Sequence, residues 1–222
     1  MDKVFFPPLS PLFIILILFL PLLIGFFIIN VINTAFIKLG FSPVLAFAIL
    51  FLSLIGSVIN IPIKERYVEV KTERMENFLF REIYPRTVVK KAGIAINLGG
   101  AVIPILVSIF LVLKSNVPMW KLITAIIIVT VICYKFARPI PGLGISIPLF
   151  IPPLVSAVIA MLLSHTYAPV IAYVSGVLGV LIGADLLNLN KIENLGATMA
   201  SIGGAGTFDG IFLTGIISVL LV

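Results

Sequence analysis

Thiol and imidazole chemistry are nearly missing from this chain, which holds one cysteine, Cys133, and one histidine, His165, in 222 residues. A lone cysteine forms no disulfide within the chain, and one thiol with one imidazole falls short of the three or four ligands a zinc site takes, so no metal and no cofactor are expected. Charge is scarce as well: 11% of residues are charged, against about 25% in an ordinary soluble domain. With 61% apolar residues and a mean hydropathy of +1.27, the chain lacks the polar surface to cover a soluble globule. A soluble Rossmann-type enzyme and a nucleic-acid-binding module are both excluded. The formal charge of +6 is read as a topology signal, because the basic residues lie beside apolar runs. The apolar stretch at 9–37 follows Lys3. It is too long for the core of a signal peptide and has no small-residue cleavage site, so a retained first helix is expected.

A spanning helix needs about 20 apolar residues, and the chain reads as an all-α polytopic membrane bundle, a single domain over 1–222. About seven transmembrane helices are expected, near 12–36, 44–61, 92–113, 122–134, 145–163, 169–188 and 195–222. The fifth carries Pro148, Pro152 and Pro153, and the seventh is interrupted by Gly203-Gly204-Ala205-Gly206, so both are expected to be broken. The polar insertion at 64–91 holds eight of the 15 Lys and Arg and five of the nine acids. Within it Tyr67-Val68-Glu69-Val70-Lys71 alternates like a strand, which suggests a small hairpin or an interfacial segment. Its mixed signs suit lipid head groups better than nucleic acid. Counted on alternate sides of seven spans, 12 cations fall on one side and three (Lys38, Lys114 and Lys121) on the other. The N-terminus and the insertion are therefore expected in the cytoplasm and the C-terminus outside the cell membrane.

Seven acidic residues sit in expected aqueous segments; Asp185 and Asp209 do not. An ionised carboxylate at membrane depth costs about 2.5–3.5 kcal/mol on insertion scales, so such residues usually face a cavity or a partner. The plain alternative is that each is a helix cap. Both lie on consecutive helices joined by the short turn Asn190-Lys191-Ile192-Glu193-Asn194, so those helices should be antiparallel neighbours. Two facing carboxyls at that depth hold one proton between them. The ionised one can then activate water while the protonated one donates to a carbonyl oxygen, which is aspartyl-protease chemistry. The pairs Gly179/Gly183 and Gly206/Gly210 are read as small-residue faces that let these two helices approach. Depth sets a condition. If the last helix runs unbroken from Leu195, Asp209 lies about 20 Å into it, while Asp185 is within about 5–8 Å of its own helix end. The depths match better if the sixth helix continues through Asn190 to Glu193, or if 203–206 is unwound and lines a cavity.

Gly183-Ala184-Asp185-Leu186-Leu187 followed by Gly206-Thr207-Phe208-Asp209-Gly210 resembles the paired motifs of the presenilin and signal peptide peptidase class of intramembrane aspartyl proteases. The likeness covers about 40 residues. Ala184 stands where that class has tyrosine, Gly206-Thr207-Phe208-Asp209 replaces Gly-x-Gly-Asp, and no Pro-Ala-Leu motif follows. The resemblance implies Asp185 and Asp209 as the catalytic pair, a cytoplasmic loop between their helices, and membrane-embedded helices as substrates. The chain as a whole also resembles an uncharacterised family of small prokaryotic membrane proteins. Two other classes fit the same residues. One is a proton- or cation-coupled transporter using Asp185, Asp209, Asn97 and Asn188; the other is a non-catalytic scaffold that binds membrane helices through its glycine faces.

Overall fold

Proline and glycine mark most of the element limits. The structure, a computed structural model, describes residues 11–75, 83–140, 144–190, 200–204 and 210–222. In chain order these form α1 (Pro11–Lys38), α2 (Pro43–Gly56), β1 (Asn60–Met75) and β2 (Ile83–Asn97), then a π-helical turn (Leu98–Val102) leading into α3 (Ile103–Lys114). There follow α4 (Met119–Phe136), β3 (Arg138–Ile140), β4 (Gly144–Ser146), α5 (Ile151–Leu163), α6 (Ala168–Val180), β5 (Ala200–Ile202) and α7 (Gly210–Leu220).

Three helical stretches, Phe19–Lys38, Met119–Phe136 and Ala168–Asn188, are long and apolar enough to cross a membrane. The others, Pro43–Gly56, Leu98–Lys114, Ile151–Leu163 and Gly210–Leu220, are apolar but shorter. At about 1.5 Å per residue none of these reaches the roughly 30 Å of a hydrocarbon core by helix alone. Large aliphatic and aromatic side chains face outward, with Phe26 68%, Val44 81% and Leu113 81% exposed. Such a surface is stable against lipid and not against water. The protein is a mostly helical membrane protein.

The all-α expectation needs correction, since the described residues also form a three-stranded sheet ordered β1-β2-β5 and a two-stranded β3-β4 ribbon. The expected third helix at 92–113 begins with strand, because Ile94, Ala95 and Ile96 pair with β1 on one side and β5 on the other. The fifth starts only at Ile151, with Pro152 and Pro153 in its first turn, where a missing N–H costs nothing. The described part of the expected seventh helix, 200–204 and 210–222, is not one continuous helix. Ala200–Ile202 is strand, and Gly203 and Gly204 adopt φ of 85° and 86°, the left-handed region that glycine enters freely. Apolar runs of strand and helix carry the same hydropathy, so composition could not separate them.

The core centres on α6, which is buried on every side and packs against α3, α4, α5 and α7. Glycines set these contacts. A Cβ on Gly179 would meet the Val129 side chain, and one on Gly183 would overlap the Thr130 carbonyl, so this pair seats α6 on α4. The expectation that the pair faces the last helix is therefore corrected. The α6–α7 contact runs through Gly176, against Thr214 and Ser218, and Gly215, against Tyr173 and Val177. Among the described residues nothing lies within 4 Å of a Cβ on Gly210. At one end of the bundle the Lys38 ammonium donates to the carbonyl of Val222 at 2.9 Å and to those of Val219 and Leu220 at 3.5 Å, satisfying the open end of α7. At the same end Lys114 reaches the Gly40 carbonyl.

Candidate functional site

The opposite end carries the sheet and both irregular turns. After α6 the helix widens into a π-helical turn, Leu181–Asp185, and then tightens into a 3-10 turn, Leu186–Asn188. The widening has a local cause. Gly183 lies against the backbone of Thr130 and Tyr134 and the Cβ of Cys133, and the fully buried Asn188 turns its side chain back onto the helix. Its Nδ2 donates to the carbonyls of Gly183 at 3.1 Å and Ala184 at 3.0 Å. Those bonds supply donors that a regular helix would take from its next turn. Asn188 Oδ1 points away from them, buried and without a hydrogen-bond partner among the described residues. Turning the amide over would set its oxygen against two carbonyls, so the hydrogen bonds fix this orientation. Asp185 ends the π turn and is half-buried and engaged, between the tightly packed Gly183 and the buried Asn188. Strand β4 lies beside the same turn.

Asp209 lies outside the described residues, and so do 191–199, the expected turn between the two helices. The helix that follows Asp209 in sequence is described from Gly210 onward. It runs antiparallel to α6, with Thr214 at the level of Gly176 and Gly215 at that of Tyr173 and Val177. One helical turn before Thr214 brings Gly210 to about the level of Val180. Asp185 is five residues further on, about 8 Å along the axis. The two motif-bearing helices therefore meet as neighbours, and the π turn and the start of α7 share one end of the molecule.

A second polar node at this end was only partly visible in the sequence. Asn97, fully buried, donates from Nδ2 to the Ser57 carbonyl at 2.7 Å and to Asn60 Oδ1 at 3.0 Å, while its own Oδ1 accepts from the Gly100 amide at 2.7 Å. Ser201 Oγ sits 2.6 Å from Asn60 Oδ1 and 2.7 Å from the Gly204 carbonyl. Backbone closes the node: a Cβ on Gly100 would overlap the Gly203 carbonyl, and one on Gly99 the Ser53 carbonyl. These bonds tie the hairpin base, the end of α2 and the approach to α7 into one unit. Asn60, a polar residue inside the apolar run from Val58 to Ile63, was the available signal for it. Among the described residues no group of three or more His, Cys, Asp and Glu could hold a metal ion.

The fold and this end of the molecule define a helical membrane protein with two non-α turns and a glycine-rich polar node on one side. The chain belongs to the DUF1614 family, described as "Protein of unknown function (DUF1614)", whose sequence model matches residues 54–221. That stretch takes in the hairpin, both irregular turns and the two aspartates of the sequence motifs. No curated protein and no solved structure matches the chain.

Proposed function

We propose that this protein is an intramembrane aspartyl peptidase in which Asp185 and Asp209 share one proton and cut peptide bonds of membrane-embedded helices. The observation that carries the reading is the placement of Asp185. It is half-buried in a π turn on the most buried helix, at the end where the neighbouring α7 begins directly after Asp209 in sequence. π turns interrupt a helix at a cost and gather at functional sites. The non-helical backbone at Gly203 and Gly204 also supports it, because the unbroken helix that would have left the two aspartates at unequal depths is absent.

In this reading the ionised carboxylate takes a proton from water as the water oxygen adds to the scissile carbonyl carbon, and the protonated carboxyl gives its proton to the carbonyl oxygen. Collapse of the tetrahedral species breaks the C–N bond, with the proton returned to the leaving amine. Seven spans, a cytoplasmic N-terminus and an outer C-terminus belong to the same proposal, supported by Lys38, Lys114 and the end of α7 meeting at the end away from the sheet.

The test is the purified protein in lipid nanodiscs with a panel of single-span peptides, the products read by mass spectrometry. Asp185→Asn and Asp209→Asn should each abolish cleavage while leaving the melting temperature unchanged or higher, since an amide is easier to bury than a carboxylate. Cleavage that survives either change contradicts the reading. The transporter alternative draws on one observation, the buried acceptor Asn188 Oδ1, which has no donor among the described residues. It predicts uncut peptides and an ion-dependent flux that is lost in the same variants.

A further inference from the structure

The 14 residues of α2 rise about 21 Å, roughly 9 Å less than a hydrocarbon core of about 30 Å. One end of this stretch is marked by Lys38 and by Lys114, which reaches the Gly40 carbonyl. Toward the other end no charge follows until Lys64, so the chain from Leu39 to Ile63 has none. Its last part, past the end of α2, is apolar apart from Ser57 and Asn60, and its large side chains are exposed, Val58 75% and Ile63 62%, with Ile59 and Ile61 between them. The neighbouring strand repeats the pattern. Ala92 to Asn97 carries no charge and leads into the π turn and α3, which together give about 25 Å of helix ending at Lys114. Three strand residues at about 3.3 Å each supply the length that α2 lacks.

We propose that the hydrocarbon layer of the bilayer extends past the end of α2 and covers the base of the sheet, so that Ile59, Ile61 and Ile63 lie among lipid acyl chains and Lys64 stands at the head groups. The second span then crosses as helix followed by strand, and the third as strand followed by helix. Three observations choose acyl chains as the occupant. The exposed Leu52, Leu54 and Ile55 of α2 run on into Val58 and Ile59 with only the buried Gly56 and Ser57 between, so the lipid-facing surface of the helix continues onto the strand. The polar side chains at this level turn to one another and to backbone, Asn60 to Asn97 and Ser201, and Asn97 to the Ser57 carbonyl, as groups denied water must. The free edge is also blunted. β1 is an edge strand of the described sheet, and it carries Pro62 and a register shift between Pro62 and Lys64. Proline belongs where a strand's N–H would point away from its neighbour, so the edge has one donor fewer to satisfy and is a poor template for a strand from a second copy. The base reaches only the roughly 9 Å nearest the head groups, the depth that interfacial segments occupy. The inference stands whether or not the aspartyl chemistry does.

The experiment uses the single tryptophan of the chain, Trp120. The full chain carrying Trp120→Phe and one of Leu52→Trp, Ile59→Trp, Ile61→Trp or Ile63→Trp is placed in nanodiscs of phosphatidylcholine, with or without bromine on the acyl chains, and titrated with aqueous acrylamide. All four positions are exposed, so each new ring reports on what surrounds the protein. Variants that keep the melting temperature of the Trp120→Phe parent are read, and three positions in one stretch mean that the loss of one to misfolding leaves two. Tryptophan at 59, 61 and 63 should lose fluorescence to acyl bromine, as the one at 52 does, and should resist acrylamide. Leu52 lies about 14 Å along the helix from Pro43, near mid-membrane. Bromine near the carboxyl end of the acyl chain should therefore quench Ile63→Trp more than bromine near the methyl end, and the order should reverse for Leu52→Trp. Quenching at 61 and 63 by acrylamide and not by bromine would put the base in water and overturn the proposal. Indifference to both quenchers would also overturn it, in favour of a second copy or another protein as the occupant.

Discussion

Asn97 and Asn188 bury the same amide in two different ways. Asn97 has both ends used, its nitrogen on Ser57 and Asn60 and its oxygen on Gly100. Asn188 uses its nitrogen twice and leaves its oxygen without a donor among the described residues. Removing a partner from a buried polar group costs about 1–3 kcal/mol per group left behind. Asn97→Ala, which strands the Gly100 amide and the Ser57 carbonyl, should therefore destabilise by about 3 kcal/mol in reversible unfolding in detergent. Asn97→Asp should do no better, since a carboxylate cannot donate to Ser57. Asn188→Leu strands the Gly183 and Ala184 carbonyls but also removes an acceptor with no donor among the described residues, so it should cost less than Asn97→Ala, about 2 kcal/mol. Equal losses at the two positions would deny that the Asn97 node is the tie between hairpin and bundle. The sequence marks both asparagines as polar residues in apolar surroundings. It does not show which one is satisfied, because the partners lie up to 40 residues away.

At the scale of elements, glycine spacing was legible and glycine partners were not. A small-xxx-small pair tells that some backbone comes close, and Gly179/Gly183 does bring one close, but it is α4 and not α7. The α6–α7 contact uses single glycines, Gly176 and Gly215, set against Thr214, Ser218 and Tyr173, a pattern with no repeat to find. Gly183→Ala would drive a methyl into the Thr130 carbonyl and should cost about 1–3 kcal/mol. Gly210→Ala meets no described atom within 4 Å and should lie within about 0.5 kcal/mol of the parent, since alanine is the better helix former. Thermal melts of the two variants side by side decide this, and a tolerated Gly183→Ala would contradict the packing. A paired ribbon was one of the two forms expected from the alternation at 67–71, but its reach was not. Strand β2 runs to Asn97 because Ile94, Ala95 and Ile96 are paired on both edges, a long-range fact that local hydropathy cannot carry. The breaks near Pro148 and Gly203 were readable because proline and paired glycines act on their own backbone.

For the whole molecule, helix lengths and charge distribution lead to one arrangement. Lys38, Lys114 and the end of α7 gather at one end, and the sheet, the π turn after α6 and the start of α7 at the other. In the proposed seven-span topology 12 of the 15 cations fall on one side, which the positive-inside rule would assign to the cytoplasm. A reporter joined after Val222 should therefore be active only outside, and the 64–91 insertion should resist protease added to intact cells. An inward reporter would reverse the topology. The central claim is that Asp185 and Asp209 meet, and the most direct measurement replaces them with a pair of thiols. In membranes holding the Cys133→Ala, Asp185→Cys, Asp209→Cys variant, a short bismaleimide should join the two positions within one chain. Carboxyls that share a proton lie within about 4–6 Å, so efficient intramolecular cross-linking is the result the dyad predicts. Complete labelling of both thiols by a monofunctional maleimide with no cross-link from the short bifunctional one would contradict it.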